Sequence, residues 1–305
     1  MNEIRYSIII PHKNSFGLLL RLLQTIPDRK VFEVIIVDDN SNSQEKSKFQ
    51  KHSFNENVIL IFNKRSEGAG KARNIALKRV SGKWIIFADA DDFFTDKLNF
   101  LLEEHYNSPQ DIIYFGTNSI FNDTEFEANR HERYMSLVSE YIKNNKNEDS
   151  LRYFYTPPWG KMIRTEIVIK NNIHFEEIIA SNDIHFSLKL AYHAKSITAS
   201  HEVLYIITVS PGSLTNSFSY NHFDAKFNAA LRANKFLCSI NKKKHQQSIL
   251  YFLAKSYKFG IEYLLVVIYR LIKNRSNIFI GFEKVINYKK VLNQRENMKY
   301  LVKKD

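Results

Sequence analysis

The sequence predicts an α/β fold in which an open, mostly parallel β-sheet is flanked by helices and followed by a helical, basic C-terminal extension. Over the first 115 residues, short apolar runs alternate with helix-like stretches. Strands that are apolar on both faces are typical of a parallel sheet covered on both sides. From about residue 221 the remaining pattern is helical.

The individual elements follow from the same patterns. Strands are predicted at Tyr6–Ile10, Phe32–Val37, Val58–Phe62, Trp84–Ala88 and Asp111–Phe115. Helices are predicted at Phe16–Thr25, Gly70–Val80, Asp96–Tyr106 and Asp183–Ala194. Short strands are expected near 196–199 and 203–207. The stretch 121–155 is polar and charged, and we expect a flexible loop at 144–149.

Polar residues stand where several predicted strands end. Pro11 stops the first strand, Asp38 and Asp39 follow the second, and Asp89 to Asp92 follow the fourth. An aspartate in such a position also caps helices or forms turns. In open α/β sheets, however, ligands bind at the carboxyl ends of the strands. Several such residues on one edge indicate a ligand site.

The cysteine content limits the disulfide and metal sites that the chain can form. Cys238 is the only cysteine, so no disulfide can form within the chain and no cysteine-based structural zinc site is available. Cys238 lies in an apolar run and is interpreted as a core residue. The N-terminal residues lead directly into a strand without a secretory signal pattern. These features predict a protein of the reducing cytoplasm.

The positive charge is confined to the C-terminal region. Residues 235–305 contain 16 Lys and Arg against 4 Asp and Glu, which accounts for the whole net charge of +12. This distribution indicates a polyanionic partner, either anionic lipid head groups or nucleic acid. A solvated basic helix surface is the simpler alternative.

The most apolar part of this region is residues 260–272. It is interrupted by Glu262 and Arg270 and is too short for a membrane span, which needs about 20 residues. Basic residues on both sides favour a helix lying at an anionic membrane surface. The alternative is a helix packed on the domain with a basic outer face.

Asp89 and Asp91 form the motif with the clearest chemistry. Two carboxylates two residues apart at the end of a strand can bind one hard cation, and oxygen ligands suit Mg²⁺ or Mn²⁺. Such a cation offsets charge on a departing nucleotide diphosphate. The sequence therefore predicts Asp89 and Asp91 as metal ligands.

Four segments in order carry a resemblance to a known family: Ile8–Asn14, Glu33–Ser41, Gly68–Asn74 and Asp89–Asp92. Together they resemble the nucleotide-binding half of an inverting family 2 glycosyltransferase with the GT-A fold, of the type that makes bacterial surface polysaccharides. The resemblance is strong over residues 5–115 and looser through 215. It implies a glycosyltransferase domain at 1–220, divided into a nucleotide-binding half (1–115) and an acceptor half (116–220). Residues 221–305 then form the helical basic region.

The resemblance also implies roles for individual residues. Pro11 contacts the nucleotide, and Asp39 accepts a hydrogen bond from its base, most often uracil. Arg73 is the basic residue near the nucleotide. Asp89 approaches the ribose and the metal, and Asp91 binds the metal directly.

The acceptor hydroxyl needs a base, and the resemblance implies Asp183. In the family, the base is the aspartate of a Glu-Asp pair that opens a helix, whereas this chain has Asn182 before Asp183. A carboxylate here takes the acceptor proton as the hydroxyl attacks the anomeric carbon. Capping of the helix is the alternative role of Asp183. His185 is a second candidate base.

Two further positions resemble the family more loosely. Trp159 occupies the place of an aromatic residue beside the acceptor, although a buried core position is a close alternative. Ser213 and Thr215 match a stretch that closes over the diphosphate in the family.

Three functions compete at this stage. The first is transfer of a sugar from a nucleotide-diphosphate donor, with UDP-sugar expected, to a glycan or lipid-linked acceptor in surface polysaccharide or lipopolysaccharide synthesis at the inner face of the cell membrane. The second is a nucleotidyltransferase, which usually has a Gly-rich phosphate loop that the first loop here lacks. The third is a non-catalytic nucleic-acid-binding protein. The tail aromatics follow helical apolar spacing, not an exposed stacking array, so no nucleic-acid partner is expected.

Overall fold

The computed structural model describes residues 3–124, 126–144, 148–210 and 219–280. Its strands are β1 (Tyr6–His12), β2 (Phe32–Asp38), β3 (Val58–Phe62), β4 (Trp84–Phe87), β5 (Phe93–Phe94), β6 (Ile112–Phe121), β7 (Lys161–Arg164) and β8 (Ile197–Val209). Within the described residues they form one eight-stranded sheet in the order β3-β2-β1-β4-β7-β6-β8-β5.

Helices flank this sheet and form the C-terminal region. They are α1 (Phe16–Gln24), α2 (Ser43–Lys51), α3 (Ala69–Leu77), α4 (Leu98–His105), α5 (Glu132–Lys143), α6 (Glu148–Phe154), α7 (Thr165–Lys170), α8 (Asp183–His193), α9 (Tyr220–Ser239), α10 (Leu250–Ser256) and α11 (Ile261–Lys273). Short 3₁₀ turns occur at Lys243–His245 and Tyr257–Phe259.

The first half of the sheet is parallel. β1 pairs in parallel with β2 and β4, and β2 pairs in parallel with β3. β2 and β4 are buried along their whole length, as expected for strands covered on both faces. Parallel strands end at the same edge, so the residues that follow β1, β2 and β4 are brought together there.

The second half of the sheet is mixed. β7 runs antiparallel to both β4 and β6, whereas β8 runs parallel to β6. The two short strands predicted near 196–199 and 203–207 are one strand, β8, whose pairing with β6 is irregular around Gly116. The short strand β5 pairs antiparallel with β8 at Phe94 and Tyr205. The predicted fold, an open and mostly parallel sheet with a helical C-terminal region, is confirmed.

Two helices that were not predicted from the sequence, α5 and α6, lie within the polar stretch 121–155. The apolar spacing of Tyr134, Leu137, Val138 and Tyr141 is helical and indicates α5. The expected loop at 144–149 ends in helix α6, while residues 145–147 lie outside the described part of the chain.

Helix α2 was not predicted from the apolar pattern, because only Phe49 of its residues is buried. The sequence signal for this helix is its N-cap residue, Asn42. The Asn42 side chain accepts a hydrogen bond of 2.9 Å from the backbone N–H of Glu45.

The hydrophobic core extends across the sheet from β1 to β8. A smaller, separate cluster joins α9 to α11 through Phe223, Phe227, Tyr263, Val267 and Leu271. Helix α9 also packs on α8, where Leu237 meets Leu188. In the part of the chain that the structure describes, no helix is long and apolar enough to cross a membrane.

Gly70 in α3 permits a close approach between two segments of the chain. A Cβ atom at this position would lie 2.2 Å from the carbonyl oxygen of Glu176 and 3.0 Å from the Cβ of Asn182. We expect Gly70→Ala to lower the free energy of unfolding by about 1–3 kcal/mol, because the backbone has to shift to remove the clash. Urea denaturation measures this change.

Gly17 in α1 is the matched control, because a Cβ there has no neighbour within 4 Å. Gly17→Ala should raise the free energy of unfolding by about 0.5–1 kcal/mol through helix propensity alone. If Gly70→Ala raised the free energy of unfolding by a similar amount, the contact of Gly70 with Glu176 and Asn182 would not be tight.

Candidate active site

The carboxyl end of β2 is held to that of β1 by a buried histidine–aspartate contact. His12 Nδ1 lies 2.8 Å from Asp38 Oδ1, and its Nε2 accepts a 3.1 Å hydrogen bond from the backbone N–H of Ser15. This geometry requires a proton on Nδ1. Burial acts to raise the pKa of Asp38, but hydrogen bonds from His12 and Ser41 outweigh it and lower the pKa. Asp38 therefore supports the loop and stays ionised.

Asp39 organises the loop that leads into α3. Its buried carboxylate accepts hydrogen bonds of 2.8 Å from the N–H of Glu67, 2.9 Å from the N–H of Gly68 and 2.8 Å from the hydroxyl of Ser66. The longest contact is 3.4 Å, from the amide of Asn63. A nucleotide base that binds Asp39 would most easily replace this last donor.

Arg73 links the acidic loop after β4 to the start of α8. Its Nη2 donates to Asp89 Oδ1 at 2.5 Å, and its Nη1 donates to Asn182 Oδ1 at 3.0 Å. The guanidinium is buried and lies 5.2 Å from the centre of the Phe175 ring. The Arg73 guanidinium therefore connects Asp89 to Asn182, which directly precedes the predicted base Asp183.

The acidic loop contains three aspartates with different surroundings. Asp89 keeps 29% of its side chain exposed, Asp91 is half-buried and Asp92 is buried. Burial raises the pKa of Asp91, and the neighbouring charge of Asp89 raises it further. Asp92 accepts hydrogen bonds from Tyr205 and Thr208 of β8, which makes it a structural residue.

The pair Asp89 and Asp91 fits a divalent cation. The mutual repulsion that raises the pKa of Asp91 is relieved when a cation binds both carboxylates. Among the residues that the structure describes, no group of three or more His, Cys, Asp or Glu side chains could hold a metal alone. Two carboxylates completed by substrate phosphates and water are nevertheless the usual protein environment of Mg²⁺.

Asp183 is the first residue of α8 and lies half-buried at the same edge. Burial raises its pKa and Asp89 adds to the effect, whereas Arg73 and Lys161 oppose it. The Lys161 side chain is buried and donates a 2.8 Å hydrogen bond to the carbonyl of Tyr155. Burial lowers the pKa of Lys161 to about 7, and Asp183 acts against that decrease.

The remaining predicted residues lie in different environments. Pro11 is half-buried near the end of β1, beside Val37 of β2. Trp159 is only 2% exposed, stacks on Tyr205 at 5.9 Å and meets the edge of Tyr134 at 5.0 Å. Its ring face is thus occupied by protein, and its predicted contact with the acceptor stays a prediction. Ser213 and Thr215 lie outside the described residues.

Three residues of the site were missed by sequence reasoning: Arg21, Lys161 and Tyr205. Each is far in sequence from its partner in the site, since Arg21 binds the carbonyl of Asp91 and Tyr205 binds Asp92. For Lys161, the available sequence signal was a lysine at the start of the short apolar run Met162–Ile163, where it lies on a strand that proves to be buried.

The sheet has the GT-A fold, which it shares with solved glycosyltransferase structures. Residues 7–170 match the model of Glycosyl transferase family 2, and the chain belongs to this family. This result confirms the expected family and enzyme class.

Two curated relatives and two solved structures illustrate the similarity. The Staphylococcus aureus poly(ribitol-phosphate) beta-N-acetylglucosaminyltransferase TarS is 27% identical over 276 residues, which cover 84% of this chain and 45% of TarS. The cholesterol galactosyltransferase of Borreliella burgdorferi is 23% identical over 242 residues, which cover 73% of this chain and 65% of that protein. The chain thus spans less than two thirds of either relative.

The structural matches show the fold. The crystal structure of TarS residues 1–349 in complex with UDP-GlcNAc has a TM-score of 0.60 and 18% identity, covering 88% of this chain and 81% of that one. The mannosyltransferase PcManGT from Pyrobaculum calidifontis in complex with GDP-Man and Mn²⁺ has a TM-score of 0.53 and 12% identity, covering 98% and 83%.

The environment of Asp183 predicts a pH dependence. A base works only when ionised, and its pKa is raised, so kcat/KM should fall as the pH decreases through that raised value. Lys161 is protonated below about pH 7 and stabilises the ionised carboxylate. Lys161→Met should therefore move the acidic limb of the pH profile to higher pH.

Lys97→Met is the control for this measurement, because Lys97 forms an exposed ion pair with Glu202 away from the site. The acidic limb of the pH profile of Lys97→Met should coincide with that of the wild type. An unchanged limb in a folded Lys161→Met protein would show that the two groups do not interact.

Proposed function

We propose that the protein transfers a sugar from a UDP-sugar to a hydroxyl group of a glycan or lipid-linked acceptor, with inversion at the anomeric carbon. The observation that carries this proposal is that Arg73 joins Asp89 to Asn182, the residue before Asp183, at the carboxyl edge of the sheet. A candidate base and a candidate metal ligand lie around one buried cation, at the edge where such folds bind nucleotides.

Asp89 and Asp91 would hold Mn²⁺ or Mg²⁺ together with the donor diphosphate. When bound, the cation offsets the negative charge that develops on the leaving diphosphate. Pro11 and Asp39 border the place of the nucleoside, and Arg73 holds the Asp89 carboxylate in position. PcManGT, which shares the fold, is described in complex with GDP-Man and Mn²⁺.

Asp183 is the proposed base. Its carboxylate takes the proton of the acceptor hydroxyl while the hydroxyl oxygen forms a bond to the anomeric carbon. The bond from that carbon to the diphosphate oxygen breaks on the opposite face, which inverts the configuration. A raised pKa supports this role, because a stronger base accepts the hydroxyl proton more readily.

The acceptor is proposed from the relatives and from the charge of the chain. TarS acts on poly(ribitol-phosphate) and the Borreliella enzyme on cholesterol, as their names state. We propose a hydroxyl on a growing surface polysaccharide or lipopolysaccharide as the acceptor, near Trp159 and the adjacent Tyr134. In this proposal residues 1–220 are catalytic, with residues 1–115 binding the donor and residues 116–220 the acceptor.

Two substitutions separate the metal from the base. Asp91→Ala should remove metal-stimulated turnover, a loss of about 100-fold or more. Asp183→Asn should lower kcat by about 100-fold or more while leaving the Kd of UDP nearly unchanged. Turnover is measured as the release of UDP from nucleotide sugars in the presence of acceptor. The Kd of UDP is measured by calorimetry.

Asp96→Asn is the control, since Asp96 is an exposed carboxylate five residues after Asp91. It should retain wild-type activity. Near-wild-type turnover of Asp183→Asn would contradict the assignment of the base, and UDP binding that is equal with Mn²⁺ and with chelator would contradict the metal site.

We also propose that α11 and the basic region at 221–305 bring the enzyme to the inner face of the cell membrane. Tyr263, Val267 and Leu271 of α11 pack inward, while the opposite face presents apolar side chains. The exposed set is Ile261, Leu265, Ile268, Tyr269 and Ile272, with fractional exposures from 37% to 71%. A helix with an apolar outer face and basic neighbours is typical of an interfacial anchor.

The charge around this face supports a lipid surface. Within residues 235–280, nine Lys and Arg accompany the single acidic residue Glu262. Lys273 is the last residue of the helix and Arg275 follows it, while Lys255 and Lys258 precede it. Anionic head groups meet both requirements, since they attract the cations and accept apolar side chains between them.

Sedimentation with vesicles tests this surface. The double substitution Leu265→Glu and Ile272→Glu should weaken binding to phosphatidylglycerol vesicles at least about tenfold, because two exposed apolar side chains become charged. Phe100→Glu is the control, since Phe100 is 65% exposed on α4 within the catalytic region. Equal binding of all three proteins would contradict the proposal, as would tighter binding to duplex DNA than to the vesicles.

A further inference from the structure

We infer that Tyr205 is a positioning residue for the metal-binding pair, because its hydroxyl joins the two ends of the acidic loop Asp89–Asp92. The inference rests on the proposed function, in which Asp89 and Asp91 hold the cation. It assigns to β8, a strand of the acceptor half, a role in donor binding.

The Tyr205 hydroxyl makes two hydrogen bonds to the loop. It accepts a 2.8 Å bond from the backbone N–H of Asp89 and donates a 2.9 Å bond to Asp92 Oδ2. One oxygen atom therefore fixes the first and the last residue of the motif at the same time. Because the first of these bonds uses the peptide N–H of Asp89, it leaves the Asp89 carboxylate as a ligand.

The neighbouring residue Thr208 completes the attachment. Its backbone N–H donates to Asp92 Oδ1 at 2.7 Å, and its hydroxyl donates to the backbone carbonyl of Asp91 at 2.6 Å. Arg21 of α1 donates to the same carbonyl at 2.5 Å. The main chain of each predicted metal ligand is thus tied to a side chain from a distant element.

The Tyr205 ring is itself fixed. The residue is fully buried, stacks on Trp159 at 5.9 Å and 17°, and meets the edge of Phe94 at 5.4 Å. The hydroxyl therefore has little freedom to move. This packing also gives Trp159 a function that does not require an open ring face: it supports the tyrosine that holds the acidic loop.

Loss of this hydroxyl would remove the partner of two polar groups, the partly buried N–H of Asp89 and the buried Oδ2 of Asp92. A polar group without a hydrogen-bond partner in a buried site raises the free energy of the folded protein. The loop would therefore rearrange to give both groups new partners. Residues that orient metal ligands in this way typically contribute about 10–100-fold to metal affinity. A purely structural tyrosine would lower stability without changing metal affinity selectively.

The test compares Tyr205→Phe with Tyr6→Phe. Tyr6 is equally buried, and its hydroxyl also makes a buried hydrogen bond, 2.9 Å to the carbonyl of Leu102, away from the acidic loop. Binding of Mn²⁺ to the full chain in the presence of UDP is followed by electron paramagnetic resonance. UDP binding in the presence of chelator and the thermal midpoint are measured in parallel.

We expect Tyr205→Phe to weaken Mn²⁺ binding about 10–100-fold, while Tyr6→Phe binds Mn²⁺ as the wild type does. Binding of UDP with chelator should change less than about twofold in both variants. Thr208→Val, which removes only the bond to the Asp91 carbonyl, should weaken Mn²⁺ binding in the same direction and serves if Tyr205→Phe does not fold.

Wild-type Mn²⁺ affinity in folded Tyr205→Phe, or in Thr208→Val if the first variant does not fold, would overturn the inference and leave the proposed function intact. Equal weakening in Tyr205→Phe and Tyr6→Phe would also overturn it, since a general loss of stability would then explain both. If the wild type binds no Mn²⁺ with UDP, the metal assignment of the proposed function fails together with the inference.

Discussion

The arrangement of the site depends on the contact of Arg73 with Asp89 and Asn182. Asp89 follows β4 and Asn182 precedes α8, and among the described residues no backbone hydrogen bond joins these two segments directly. The buried guanidinium binds both at 2.5 Å and 3.0 Å and offsets the charge of the carboxylates around it. Arg73 reaches this position because Gly70, one turn earlier in α3, lets the helix approach residues 176 and 182. Without the cation, the like charges of Asp89 and Asp183 would repel one another with nothing to offset them.

The long strand β8 has a comparable role on the other side of the acidic loop. It starts beside β6, passes an irregular pairing at Gly116, and ends where Tyr205 and Thr208 bind Asp92. The mixed second half of the sheet therefore helps to hold the acidic loop that follows β4. One strand therefore contacts both the buried Trp159 and the acidic loop, because the Tyr205 ring stacks on Trp159 and its hydroxyl binds Asp92.

The sequence predicts the parts of this structure that depend on local pattern. Buried parallel strands leave continuous apolar runs, so the sheet and the aspartates at its edge were found, and the family motifs located Arg73 and Asp183. Helix α2 has a single buried residue and leaves almost no apolar period. The contact between Asp92 and Tyr205 joins positions 113 residues apart, and the burial of Lys161 and Trp159 depends on how distant elements pack. No local pattern contains that information.

The departure of this chain from the family pattern has an electrostatic consequence. In the family a glutamate precedes the base, whereas Asn182 here accepts a hydrogen bond from Arg73 through a neutral amide. A glutamate at this position would place a further negative charge near Asp89 and Asp183 and would raise the pKa of Asp183 beyond the effect of Asp89. The amide keeps the contact with Arg73 without that repulsion. Together with the buried Lys161, it favours an ionised Asp183, so the chain balances the desolvation of its proposed base with one neutral substitution and two cations.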